Sequence, residues 1–303
     1  MSKRLLHSVL LIAFLGSSFS RPSNCSEPAV TGESAELHAL FDAAWKQSLA
    51  DDPVEASRLG VHDYDDLWPD VSLGAIESRY QRDKGILKQL DGIDRATLSP
   101  ADRINDRLFR RDREDRVAGH RFGGYLLPVN QREGIQDAGN LADSLRFDRA
   151  GDYEAWLARM ERFPAYVDQT IELMREGIRR GAVHSKVVMK RVPRQVENQI
   201  VDDAEKSLFY QPFAEFPASI PADARQRYRQ KAAEIILNRI NPADQRLLAF
   251  LINEYLPACY DDVGAWQMPE GRDFYAFEAR RFTTTDLTSD EIHEIGVSEV
   301  ARI

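Results

Sequence analysis

What most constrains the fold of this chain is the spacing of its apolar residues, which recurs at three and four positions and hardly ever at two. Leu37, Leu40, Phe41, Ala44, Trp45 and Leu49 share one side of a 3.6-residue helix, the mark of an amphipathic segment burying a single stripe. Trp156, Met160, Phe163, Val167, Ile171 and Met174 repeat the pattern over 151–181, with Gly181 as the stop. Asp52-Pro53 restarts the chain between helices, the Asp as cap and the Pro in the first turn, running to Leu59-Gly60. Further helices are expected over 73–91, 99–117, 190–207, 222–238 and 242–256, while Phe122–Asn140, rich in Gly, reads as loop. Only Phe274–Phe277 and Arg281–Thr285 offer short candidate strands. The expected fold class is mainly α, a helical array without the strand–helix rhythm of a parallel sheet.

The first twenty residues stand apart. Lys3 and Arg4 precede an apolar run, Val9 to Leu15, and small residues follow at Gly16, Ser17, Ser18 and Ser20. That order is a secretory signal over 1–20, with cleavage after Ser20. The run is shorter than the roughly 20 residues that span a bilayer, and no second run of that length follows. Residues 21–34 read as a flexible leader and 35–303 as one helical domain. The expected location is therefore the periplasm. Lipid anchoring through Cys25 is disfavoured, because Arg21-Pro22-Ser23-Asn24 separates it from the apolar run. The net charge of −9 becomes −11 once Lys3 and Arg4 leave with no acidic residue. A chain so acidic lacks the surplus of cations that nucleic-acid binding needs. Two cysteines, Cys25 and Cys259, cannot build a disulfide scaffold, and Cys259 is expected to be unpaired and buried.

Motifs that carry chemistry are nearly absent. His293-Glu294-Ile295-Gly296-Val297 approaches a zincin helix, but the second histidine, needed four residues after the first, is Val297. His62-Asp63-Tyr64-Asp65-Asp66 suggests a calcium loop until Leu67 and Trp68 occupy the fifth and sixth positions, which require an oxygen ligand and a glycine. It reads as a solvated turn. No nucleophile elbow, dinucleotide loop or phosphate loop occurs. Thr283-Thr284-Thr285 favours extended backbone and carries hydroxyls that could meet a peptide edge; the plainer alternative is a connector into the Thr288 cap. Thr288-Ser289-Asp290-Glu291 is a capping box. The stripe that follows, Ile292, Ile295, Val300 and Ile303, meets no stop signal, so a chain cut short is expected.

Several stretches together resemble the DUF885 family of bacterial proteins, grouped with the zincin-like metallopeptidases. They are Asp52-Pro53 with Leu59-Gly60, the acidic run to Pro69-Asp70, Tyr255-Leu256-Pro257-Ala258, Val263-Gly264 and Pro269-Glu270-Gly271. Densest is Thr283 to Thr288, followed by Glu291-Ile292-His293, Ile295-Gly296 and Glu299 to Ile303. The resemblance implies a largely helical protein about twice this length, with its H-E-x-x-H motif downstream of Ile303. Zinc is thus expected only in complete members, and no catalytic or metal residue carries over to this chain. The resemblance implies a peptide substrate, with Thr283, Thr284 and Thr285 beside it, or a separately encoded C-terminal half as partner. The histidine usual before the three threonines is Phe282 here. A non-catalytic exported helical binding module is the alternative.

Overall fold

The structure, a computed structural model, describes residues 32–303. The predicted signal, Cys25 and most of the leader lie outside the described residues. Helix α1 (Gly32–Asp51) takes in the last three residues assigned to the leader, and Ser34 Oγ donates to Asp102 Oδ2 at 2.9 Å. Asp52 caps α2 (Pro53–Arg58), its carboxylate accepting from Glu55 N at 3.0 Å. Helices α3 (Leu73–Gly92) and α4 (Pro100–His120) form an antiparallel pair against α1. Leu37, Ala44, Ile86, Leu90, Ile93 and Leu98 make the small core of this unit. Trp45, counted above in the buried stripe of α1, is 57% exposed. The stripe is wider than three packed helices can cover, and its edge residue faces water.

The large core is organised by α5 (Ala150–Arg180), which Gly181 terminates in a left-handed conformation, as its missing side chain permits. All six residues of its predicted apolar face are buried. Tyr153, Trp156 and Phe163 meet Phe209 and Phe213 in an aromatic cluster, and the Trp156 indole N–H donates to the Phe209 carbonyl at 3.0 Å. The span 190–207 is not one helix. It breaks into α7 (Val192–Glu197) and a 3-10 turn (Ala204–Lys206), and the preceding α6 (Lys186–Met189) is only one turn.

After α8 (Gln211–Ala214) the chain makes one continuous helical run from α9 (Ala222–Ile235) through α10 (Asn241–Phe250) to α11 (Leu256–Ala258). Two π turns, Ile236–Ile240 and Leu251–Tyr255, join these pieces. Each π turn runs out just before a proline, Pro242 or Pro257. A proline ring clashes with the carbonyl four residues back and has no N–H to give it. Widening the preceding turn by one residue relieves both problems without ending the helix.

Helices α12 (Gly271–Thr283) and α13 (Ser289–Arg302) complete the described chain. The two candidate strands are overturned here: Phe274–Phe277 and Arg281–Thr283 belong to α12, and Thr284 closes it with φ 60° and ψ 21°. Phe274 and Phe277 pack on Phe122 at the end of α4, a long-range contact that outweighs β propensity, while Phe282 simply continues the helix with its ring exposed. The Thr288 capping box forms as expected, Glu291 N donating to Thr288 Oγ1 at 3.2 Å while Thr288 N donates to Glu291 Oε2 at 2.8 Å. The protein is mainly α, as its periodicity requires. Among the described residues there is no strand beyond an isolated bridge between Ser185 and Tyr260.

Candidate functional site

The three threonines sit at the exposed turn between α12 and α13. Thr283 Oγ1 donates to the Ala279 carbonyl at 2.8 Å and lies 2.9 Å from Thr285 Oγ1. Thr285 N donates to Thr283 Oγ1 at 3.3 Å. The hydroxyl of Thr283 is thus already engaged in finishing the helix. A β-branched residue at positive φ, here Thr284, is uncommon, because the position is one that glycine usually fills.

A groove of about 600 Å³ opens beside this turn, between the C-terminal end of α4 and α12. The residues lining it from the turn are Asp286, Leu287 and Thr288, the three that follow the threonines. Its apolar wall is Phe122 and Phe277, with ring centroids 5.3 Å apart. A side chain at Gly119 would come within 3.1 Å of the Phe277 ring, so glycine there lets α12 close on α4. Arg121 lies over Phe122 at 4.4 Å and stands 3.6 Å from Glu270 and 3.9 Å from Asp273. Arg280 adds a second cation over Phe277, at 5.9 Å. Such a groove offers apolar contact and cations, which suits holding an extended chain. It contains no nucleophile paired with a base.

The other reactive side chains are placed as structural groups. Cys259 is buried and free, and burial pushes its thiol up to about 11, a shift that the nearby Lys186 ammonium only partly opposes. A thiol held protonated at neutral pH is a poor nucleophile. Burial also pushes the His184 imidazole below its usual range, while a hydrogen bond to the Leu127 backbone works the other way. The backbone N–H of His184 donates to the Tyr255 hydroxyl at 3.3 Å, tying the segment between α5 and α6 to the helical run of α9–α11. His293, the histidine of the incomplete zincin pattern, lies on the exposed helix α13. Among the described residues no three His, Cys, Asp or Glu side chains come together in a way that could hold a metal ion.

The acidic connector has a role that its sequence did not disclose. Arg159, on α5, is fully buried, and its Nη2 donates to Ser57 Oγ at 2.8 Å, the Tyr64 carbonyl at 2.9 Å and the Pro53 carbonyl at 3.3 Å. Burial pushes this guanidinium down to about 10, opposed by Asp65 and Asp66. Trp68 Nε1 donates back to the Arg159 carbonyl at 2.8 Å, and Arg162 pairs with Asp66 at 2.8 Å. The acids of the connector therefore balance cations of α5. The sequence signal available was an arginine inside the apolar face of a long helix, which requires a partner somewhere in the chain.

A family model described as "Bacterial protein of unknown function (DUF885)" matches residues 53–303. No curated protein matches the sequence. Among solved structures, the chain is similar to "The crystal structure of the putative lipoprotein from Colwellia psychrerythraea", with a TM-score of 0.75 and 17% identity. The likeness covers 90% of this chain and 50% of that one, so the chain spans about half the length of the solved protein it matches. At that identity the likeness is one of fold. Among the described residues no helix is long and apolar enough to cross a membrane.

Proposed function

The chain belongs to the DUF885 family, and from that premise we propose that it is the N-terminal part of an exported zinc metallopeptidase acting on peptides. The observation that carries this reading is the half-length likeness: nine-tenths of this chain corresponds to half of a solved protein. In this reading the chain supplies binding walls, and the groove between α4 and α12 is where a peptide segment would lie against Phe122 and Phe277. The residues present do not fit zinc, since neither the sequence nor any cluster of described side chains provides its ligands. No catalytic step is therefore assigned to this chain. Export is supported by the signal-like residues 1–20, and the mature chain should begin at Arg21.

The test is metal analysis and a peptidase assay on the exported chain, with its N-terminus sequenced. The expected result is a start at Arg21, far less than one zinc per chain and no peptide hydrolysis. One zinc per chain together with hydrolysis would overturn the reading. The alternative is an exported helical module that binds a partner without catalysis; a half-domain, by contrast, should expose the apolar stripe of α13. That helix buries none of its residues and leaves Ile295, Val297 and Val300 at least half exposed. Co-expression with the C-terminal half of a complete family member separates the two. Activity appearing only in the pair supports the peptidase part, whereas binding without activity supports the module.

A further inference from the structure

A second cavity, of about 280 Å³, lies between α2, the 61–72 connector and the start of α5. Ligand cavities typically span roughly 300–1,000 Å³, so this one suits a small molecule. We infer that it binds a small organic carboxylate, the charged head on Arg146 and Arg58 and an apolar body against Phe147 and Trp156. This inference does not rest on the peptidase reading.

The charges that line the cavity are unequally occupied. Asp65 is saturated by the protein: its Oδ1 accepts from Ser57 Oγ at 2.6 Å, and its Oδ2 lies 2.7 Å from His62 Nδ1. Asp152 is saturated too, accepting from the backbone N–H groups of Asp148 and Arg149 at 2.9 and 2.8 Å and from Arg149 Nη2 at 3.1 Å. The cations are free by comparison. Arg146 makes no hydrogen bond or ion pair with any described residue, and the carboxylate nearest to Arg58 is Glu55, at 3.8 Å. Groups left without partners at a cavity wall select the ligand, and here they are hydrogen-bond donors with positive charge.

The Asp65 carboxylate can only accept, so His62 Nδ1 donates to it, and His62 is held as part of the cavity wall. Behind Asp65, Ser57 accepts from the buried Arg159, which anchors the whole row. Two features favour a carboxylate with an organic body over inorganic phosphate. Asp65 and Asp152 offset Arg58 and Arg146, so a singly charged head is better matched than a dianion. The Phe147 and Trp156 rings, 6.1 Å apart and nearly perpendicular, give the cavity an apolar side that a bare ion would leave unfilled.

The experiment is isothermal titration of the full chain with N-acetyl-phenylalanine, its uncharged amide and inorganic phosphate. Saturable one-site binding of the acid is expected, with the amide and phosphate each about tenfold weaker, the scale of one lost charge-assisted hydrogen bond. Arg146→Gln and Arg58→Gln should each weaken the acid about fivefold or more. Both side chains are exposed, so the fold should survive, and unchanged thermal melting checks this. Arg239→Gln, on an exposed side chain away from the cavity, should bind as the unsubstituted chain does. Absence of saturable binding, equal binding of acid and amide, phosphate as tight as the acid, or variants indistinguishable from the parent would each overturn the inference.

Discussion

Arg159→Ala should destabilise the protein by about 3–5 kcal/mol, the range for breaking a buried, hydrogen-bonded charge and emptying its site. The substitution removes the one side chain among the described residues that reaches Ser57, Pro53 and Tyr64 together. It also leaves Asp65 without the buried cation that stands behind Ser57. Arg162→Ala is the control. It makes the neighbouring contact to Asp66 from a half-exposed position and should cost within about 1 kcal/mol, as exposed ion pairs do. Urea unfolding measures both, and limited proteolysis should find new cleavage between residues 60 and 70 only in Arg159→Ala. Equal stability losses in the two variants would refute the idea that the connector is pinned by one buried guanidinium. Because His62 and Asp65 belong to that connector, Arg159→Ala should also lose binding of N-acetyl-phenylalanine.

The second large effect concerns Asp244 on α10, 3% exposed and with Oδ2 lacking any hydrogen-bond partner. Burial pushes its carboxyl up to about 7, against about 3.9 in the unfolded chain. Below about pH 4 both states hold the proton and the group contributes no pH dependence. Between about 4 and 7 the folded state keeps a proton that the unfolded state has lost, so stability falls as pH rises. At about 1.4 kcal/mol per pH unit the loss reaches on the order of 4 kcal/mol by pH 7, then levels off. Asp244→Asn removes the titration and keeps the shape of the protonated acid. It should match the parent near pH 4 and exceed it by up to about 4 kcal/mol at pH 8. Urea midpoints that differ by the same amount at both pH values would refute this account.

Asp244 also shows how little local sequence says about such a group. Nothing in Asn241-Pro242-Ala243-Asp244 marks the last residue as buried; read alone, it is an ordinary acidic residue in a first helical turn. It is enclosed because α10 packs on both α5 and α7. The groove beside the threonines was legible only in part. Thr283 to Thr288 stood out as a dense segment, and the capping box at Thr288 was read correctly. That Phe277 would rest against Gly119 and Phe122 depends on α12 lying along α4, far away in sequence. With that contact hidden, Phe274–Phe277 looked like a strand fragment.

By itself the sequence determined the helical class, the stripe of α5 and the ends set by Asp52, Gly181 and Thr288. All of these rest on interactions between residues at most four apart, which any window of sequence contains. Tertiary structure alone decided which part of each stripe is covered, and so exposed Trp45 and enclosed Asp244. It decided, too, that the acidic connector from His62 to Asp66 is the counterpart of Arg159 and Arg162, almost a hundred residues further on. The need for such a partner is written in a buried arginine; its identity is fixed only when the helices pack and bring the two segments together.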